Sequence, residues 1–392
     1  MIRFKKDDGS NYPDWEEKKL GEALTIYHGK DYKHLENGNI PVYGTGGIIT
    51  YVDKFLCDWE CVCIGRKGTI DKPLYISTSF WNVDTLFATK TKVGHNAKFQ
   101  YYLFETIKWK KYNEASGVPS LSASTIENIK YRVPCLEEQQ KIADFLSSVD
   151  DIISASEKEV ANLEEQKKGV MQKIFSREVR FKADDGSDYP QWEEKGFYDI
   201  FELFQNNTFS RDMLNYENGN VQNVHYGDVL VKFGSVLDCN KKKLPFINDD
   251  IPVSKFSNES YVKNGDVILA DTAEDFSAGK VTEIKNVENK KILSGLHTML
   301  CRPKEEFATG FLGYYLNSNT YHKQVIPLLV GTKVYSINKK VIGRTNIKIP
   351  CIEEQQKIAN FLSDIDTAIE KAKAELECWK EIKKGLLQQL FI

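Results

Sequence analysis

The feature that most constrains this chain is that it carries the same frame twice. The run Arg3-Phe-Lys-Lys-Asp-Asp-Gly-Ser-Asn-Tyr-Pro-Asp-Trp-Glu-Glu17 returns as Arg180-Phe-Lys-Ala-Asp-Asp-Gly-Ser-Asp-Tyr-Pro-Gln-Trp-Glu-Glu194, identical at 12 of 15 positions with an offset of 177. A second block, Val133-Pro-Cys-Leu-Glu-Glu-Gln-Gln-Lys-Ile-Ala-Asp-Phe-Leu-Ser-Ser-Val-Asp150, returns as Ile349 to Asp366, identical at 13 of 18 positions with an offset of 216. Two such blocks in the same order mark an internal duplication. The offsets differ by 39, so the second copy holds that many more residues between its blocks, and no comparable run of identity lies there. The duplication therefore has matched frames and unmatched interiors.

The length of 392 residues agrees with such a division, because a single core stops growing at roughly 250 to 300 residues. Behind each Pro-Cys pair, apolar residues step by four and three. In the first copy these are Ile142, Leu146, Val149, Ile153, Ser156, Val160, Leu163, Lys167, Val170 and Ile174. In the second they are Ile358, Leu362, Ile365, Ile369, Ala372, Leu376, Trp379, Lys383, Leu386 and Leu390. The spacing predicts two coiled-coil helices of about 39 residues. Glu137, Glu138, Glu353 and Glu354 place negative charge in the first turn, where the helix dipole favours it. Each stripe is too narrow to be stable alone, and the cheapest partner for one helix is the other. A pseudo-two-fold relation between equivalent units makes that pair antiparallel and brings Phe391 near Arg3. Lys167 and Lys383 occupy equivalent seam positions, either as polar residues that fix register or as lysines snorkelling to water.

Residues 19–132 and 195–348 read as short strands broken by glycine and asparagine, with helices expected around 95–108 and 309–325. The expected fold class is α+β: two α/β domains separated by two long antiparallel coiled-coil helices. Its divisions are 1–133 (with an arm, 1–18), a helix over 134–178, a second domain over 179–349 (arm 179–194), and a helix over 350–392. Cys57, Cys61 and Cys63 alternate with apolar residues, as buried strand thiols do, with no second pair nearby to complete a zinc site. The opening residues lack an apolar signal core and no stretch is long and apolar enough to span a bilayer, so a soluble, cytoplasmic protein is expected.

Net charge is −3, which taken whole speaks against a polyanionic partner. By segment, residues 19–132 hold 15 basic and 11 acidic side chains, and residues 195–348 hold 20 and 17, leaving 18 and 28 in the frames. The basic excess is thus confined to the unmatched interiors. Within them, Tyr43-Gly-Thr-Gly-Gly47 and Ile64-Gly-Arg-Lys-Gly-Thr69 let backbone amides approach an anion, with Arg66 and Lys67 adding charge. Plain tight turns are an equal reading. Lys232, Lys241-Lys242-Lys243 and Gly331-Thr-Lys333 are the basic counterparts in the second copy, and lysine runs are usually solvated faces.

These residues resemble the specificity subunits of type I restriction-modification systems. The resemblance covers the whole chain and rests on four runs: Pro134 to Gln140 with the helix behind it, its copy at Pro350 to Gln356, Ile64 to Thr69, and Phe80-Trp-Asn-Val-Asp84. It implies a non-catalytic subunit in which each of two target-recognition domains reads one half of a bipartite double-stranded DNA sequence. The helices would set the spacing and dock two copies of an adenine methyltransferase subunit, and through these the ATP-dependent restriction subunits. S-adenosylmethionine, ATP and magnesium are then expected on the partners, with no cofactor or metal on this chain.

The residues expected to contact DNA are Tyr43, Thr45, Arg66, Lys67, Lys92, Lys111 and Ser120 in the first interior. In the second they are Lys232, Lys241, Lys242, Lys243, Lys333 and Tyr335. The helix seam is expected at Ile142, Leu146, Val149, Ile153, Leu163, Ile358, Leu362, Ile365, Ile369 and Leu376. No adjacent prolines mark an amine-methylation motif, and neither a Walker loop nor a His-Glu-x-x-His run occurs. Asp14, Glu17 and Lys18 mimic a nuclease signature, but the copy replaces the first acid by Gln191. The remaining alternative is a protein-only scaffold with two partner-binding domains on a helical ruler.

Overall fold

The computed structural model describes residues 3–391. The chain divides into two compact units, Met1–Glu159 with Ala372–Ile392, and Val160–Lys371. The division falls inside the two long helices, so each unit owns one domain, the first part of the helix that follows it, and the last part of the other helix.

In the first unit a four-stranded sheet runs in the order Leu24–His28, Leu86–Thr91, Cys61–Gly65, Leu74–Ile76, beside a three-stranded sheet of Gly47–Val52, Asn37–Gly44 and Trp81–Asn82. The central strand Cys61–Gly65 is buried along its whole length, which its unbroken apolar run predicts. Cys57, Cys61 and Cys63 lie in the core as read, with the sulfurs of Cys61 and Cys63 3.6 Å apart on one face of the strand. In the second unit the equivalent sheet has five strands, in the order Phe201–Phe204, Thr298–Pro303, Val267–Ala270, Val281–Lys285, Val236–Asp238. The helix expected in the first interior is Ala97–Thr106, beside the short Leu20–Ala23 and Ala123–Glu127. In the second, the expected helix is broken into Phe311–Leu316 and Asn319–Val325, because the Ser318 hydroxyl accepts from the Tyr321 amide and starts a new N-terminus.

The frames are superimposable in their bonding. The strand Glu16–Lys19 pairs antiparallel with Lys130–Val133, and Glu193–Gly196 pairs with Asn346–Ile349 in the same register. Each arm closes on the first turn of the long helix that follows its own domain. The Arg3 guanidinium donates to both oxygens of Glu138 at 3.1 and 2.9 Å, and the Trp15 indole donates to the second oxygen at 3.1 Å. Arg180 and Trp192 do the same to Glu354, at 3.1, 2.6 and 3.0 Å. Glu138 and Glu354 are fully buried, so only one of each glutamate pair acts as a solvated dipole partner; the other is the centre of a buried clasp. Gln139 and Gln355 turn inward as well, each donating to the carbonyl of its proline, Pro134 or Pro350, at 2.9 Å. The repeated Glu-Glu-Gln-Gln thus encodes an attachment between arm, domain and helix.

The long helices are Leu136–Phe175 and Ile352–Leu390. In the first unit Ile142, Ala143 and Leu146 share a core with Leu386, Leu387 and Leu390, and in the second Ile358 and Leu362 share one with Val170, Met171 and Ile174. The start of one helix therefore lies beside the end of the other in both units, which is the antiparallel arrangement. Of the seam residues, Ile142, Leu146, Val149, Ile358, Leu362, Ile369 and Leu376 are buried, while Ile153, Leu163 and Ile365 are half-buried. Burial is deepest where a domain also covers the helix. Lys383 pairs with Asp150 at 2.8 Å and Glu105 at 2.9 Å, and Lys167 pairs with Asp366 at 2.5 Å. Tyr102 and Tyr314 donate to those aspartates at 2.8 Å. Between the two readings of these lysines, the ion pairs favour the register-fixing one. Phe4 and Phe391 both pack against the core of the first unit.

Candidate nucleic-acid interface

Backbone hydrogen bonds align the two interiors where their sequences do not. The Val83 amide donates to Tyr43 at 3.0 Å, as Gly295 does to Val224 at 2.9 Å. Arg66 donates to Thr85 at 2.8 Å, as Asp271 does to His297 at 3.0 Å, and Leu121 donates to Arg66 at 2.9 Å, as Ile337 does to Asp271 at 2.8 Å. The equivalent turns are therefore Tyr43 to Thr45 with Val224 to Tyr226, Arg66-Lys67 with Asp271-Thr272, Asp84-Thr85 with Leu296-His297, and the loops ending at Ser120 and Ser336. From Tyr43 to Arg66 is 23 positions, and from Val224 to Asp271 is 47, so 24 of the 39 extra residues enter between the first two turns. They supply the helix Tyr226–Val231 and the added edge strand Val236–Asp238.

These four turns meet at one end of each central sheet. In the first unit, Lys67 bridges Ser120, the Gly68 amide donates to Pro119 at 2.9 Å, and Thr45 lies against Gly68. Gly68 has φ of 92°, a left-handed backbone that glycine adopts without penalty. Arg66 donates to the Asp84 carbonyl at 3.2 Å and is half-buried, whereas Lys67 is exposed. Tyr43 is half-buried with its ring edge-on to Phe80 at 5.8 Å, and burial raises its phenol above the ordinary value. The first rim thus unites Tyr43, Thr45, Arg66, Lys67 and Ser120. Exposed Lys111 immediately precedes the loop whose Asn113 accepts from Ser120 at 2.9 Å.

The second rim carries different chemistry on the same turns. Arg211 pairs with buried Asp228 at 2.7 Å, and Lys232 pairs with the other oxygen at 2.9 Å while also donating to Tyr216 at 3.1 Å. Burial pushes the Asp228 carboxyl up, but the two cations outweigh it and hold it below its ordinary value. The bond to Asp228, then that to Tyr216, raises the Lys232 ammonium. His225 accepts from the Gly227 amide at 3.2 Å, and burial followed by Arg211 lowers it to about 4. Tyr226 stacks between His225 and His297, with ring centroids 4.6 and 5.3 Å away. His297 holds φ of 52° and lies 3.5 Å from Asp271. Tyr335 pairs with Ala273 and lies on Phe276 at 4.6 Å, which brings the Lys333 loop to this rim.

Lys92 and Lys241 to Lys243 do not join either rim. The strand Leu86–Thr91 leaves the first rim at Leu86, so Lys92 lies past its far end, where its ammonium donates to Gly21 at 2.6 Å. Val236–Asp238 runs parallel to Val281–Lys285, which also leads away from the second rim, and Lys241 to Lys243 follow that end. Lys242 pairs there with Glu370 of the second long helix at 2.9 Å. Lys232 reaches the rim, but as a support for Asp228. Sequence reasoning missed Arg211, His225, Tyr226, Asp228, Asp271, Thr272 and His297. The signal was available in the buried strand Val267–Ala270, which matches Cys61–Gly65 and also ends in a polar turn; the search for basic residues passed over an acidic one.

The profile described as the type I restriction modification DNA specificity domain matches residues 12–165 and 190–377. The type I restriction enzyme MjaVIII specificity subunit of Methanocaldococcus jannaschii is 28% identical over 416 residues, covering 99% of this chain and 94% of the relative. The crystal structure of a type I restriction-modification S subunit from M. genitalium aligns with a TM-score of 0.60 at 14% identity, covering 100% of this chain and 99% of that one. A structure from work on complex assembly and conformational transition of the type I R-M system aligns at 0.56 and 14%, covering 96% and 97%. At such identities the structural likeness speaks for the fold, while the profile covers both copies of the frame. Matched over both copies of the frame, this chain belongs to the type I restriction-modification DNA specificity proteins.

Proposed function

We propose that the two rims read the two unlike halves of a bipartite double-stranded DNA target, the chain itself being the non-catalytic specificity subunit. The observation that carries this reading is that four equivalent turns, held by the same backbone bonds, bear Arg66-Lys67 in one domain and Asp271-Thr272 in the other. A single ligand bound twice needs two similar surfaces, whereas two different half-sites need different donors and acceptors on similar scaffolds. Arginine, lysine, asparagine and histidine on turns are suited to base edges in the major groove, and glycine turns to phosphates.

The frames support the complementary half of the proposal, two copies of an adenine methyltransferase subunit docked on equivalent surfaces. Leu136 and Phe145 are exposed on the first frame and Ile352 and Phe361 on the second, each phenylalanine edge-on to its arm, Phe4 or Phe181. The same apolar pair presented twice fits one partner bound twice. The ATP-dependent restriction subunits would join through the methyltransferase, with S-adenosylmethionine, ATP and magnesium held by those partners. Among the described residues no helix is long and apolar enough to cross a membrane, and a cytoplasmic setting is part of the proposal.

The test is to map methylated adenines in a genome carrying this system and to measure binding of the assembled complex to the mapped sequence. A bipartite sequence with salt-sensitive affinity supports the reading. Methylation without a bipartite context, or an assembled complex that does not retard the duplex, contradicts it and favours the protein-only scaffold.

A further inference from the structure

A cleft of about 410 Å³ in the second unit lies between the first long helix and the domain, walled by Lys167, Lys168, Lys280 and His322. Its cations are unevenly matched. Lys167 has Asp366, and Glu164 stands on the same wall. Lys280 is half-buried and gives one hydrogen bond, to the Leu230 carbonyl at 2.6 Å, with no carboxylate paired to it among the described residues. Burial, followed by the nearby charge of Lys167, lowers its ammonium below the ordinary value. Lys168 is exposed and has no ion pair among the described residues. His322 donates from Nε2 to the Phe276 carbonyl at 2.7 Å. Asp275 of the adjoining cleft offsets the lowering at Lys280 only in part and makes no ion pair with it, and a half-buried ammonium with no carboxylate in contact costs free energy, which an incoming anion would return.

The place of the cleft indicates which anion. A second cleft, of about 660 Å³, is lined by the rim residues Arg211, Tyr226, Asp228 and Thr272, and it shares Ser277 and Lys280 with the first. Lys280 therefore forms the wall between the rim and the helix. A duplex seated on the rim would present its sugar-phosphate backbone along that wall. The first unit is built differently: the position equivalent to Asn317, which lines the cleft, is Glu105, and Glu105 pairs with Lys383 at 2.9 Å. There the latch lysine already has two carboxylates, Asp150 and Glu105.

We propose that the cleft walled by Lys168 and Lys280 binds a backbone phosphate of the duplex whose half-site the second rim reads. The inference rests on the DNA-reading assignment of that rim. It adds a contact that is indifferent to sequence and that ties the second domain's DNA to the first long helix, at one unit only.

The test uses the complex assembled with its partner subunits. Affinity is measured as a function of salt for a duplex carrying the mapped methylated sequence and for a scrambled duplex. Each lost phosphate contact lowers the slope of log affinity against log salt by about 0.9. Lys168→Gln, at an exposed position, is expected to lower it by about that amount on both duplexes and to leave the preference between them unchanged. Lys280→Gln is expected to do the same, with its unfolding midpoint measured alongside. Lys384→Gln, at the equivalent position in the other frame, is expected to leave the slope alone. Unchanged slopes in both Lys168→Gln and Lys280→Gln overturn the proposal, as does an equal change in Lys384→Gln or a loss confined to one base position. A wild-type complex with no preference between the duplexes would instead sink the DNA-reading assignment itself.

Discussion

The two rims of this molecule are alike in backbone and opposed in charge. Where the first places Arg66 and Lys67 over a glycine turn, the second places Asp271 and Thr272, and moves its cations to Arg211 and Lys232, both committed to Asp228. The frames show the reverse: Arg3, Trp15 and Glu138 repeat as Arg180, Trp192 and Glu354 within a few tenths of an ångström in each bond. A duplicated chain has here kept the residues that attach domain to helix and replaced those at the rims. The lesson is that a turn can be inherited as geometry while its chemistry changes sign.

The largest expected effect sits in the frames. Glu138→Ala and Glu354→Ala each strand a half-buried arginine and its indole neighbour, and each should destabilise by about 3 kcal/mol in urea denaturation. The two costs should be similar, and at temperatures where the variants stay folded the recognised sequence should not change. Unequal costs would break the symmetry of the frames.

Next come the rims. Arg66→Ala should cost about 1 to 3 kcal/mol of binding and relax one half-site only, and Arg211→Ala should do so at the other half. The same half-site affected by both would break the comparison. Asp271→Lys, which gives the second turn the sign of the first, should steepen the salt slope by about one unit without adding preference, read from the same binding curves.

A smaller difference concerns acid. The folded protein holds His225 at about 4, against its ordinary 6.5. Its neutral form is favoured by folding, so the stability it contributes is complete above 6.5 and is lost as pH falls toward 4. At pH 6 the loss is about 1 kcal/mol or less. The wild-type urea midpoint should therefore fall more steeply between pH 7 and 5 than that of His225→Gln, and parallel curves would remove His225 from the account. The smallest effect is expected from Lys241→Gln and Lys243→Gln, which lie past the end of a strand leading away from the rim and should leave DNA affinity unchanged.

Much of this architecture is legible in the amino-acid order, for physical reasons. The frames are readable because identity marks them, and the helices because an uninterrupted four-three stripe has one solution. The depth of Glu138 was not readable, since a glutamate in a first helical turn satisfies the dipole equally well in water; only the arm folding back makes it the centre of a clasp. Arg66, Lys67, Thr45 and Ser120 share one rim, a grouping that the charge beside glycine turns signals locally. Arg211 and His225 give no such signal, because their partner Asp228 and the turn at Asp271 carry the opposite sign. Lys241 to Lys243 misled because strand direction, which sends them to the far end of the sheet, is set by pairing with Val281–Lys285 and is invisible in the run itself.

The central claim is that the rims read different half-sites independently. It is tested most directly by mapping methylated adenines genome-wide with the wild-type chain and with Arg211→Ala in the same host. The account predicts that one half of the methylated sequence stays fixed while the other loses discrimination at one position, with the spacing unchanged. Both halves altered together, or neither altered at a variant that still folds and assembles, would contradict it.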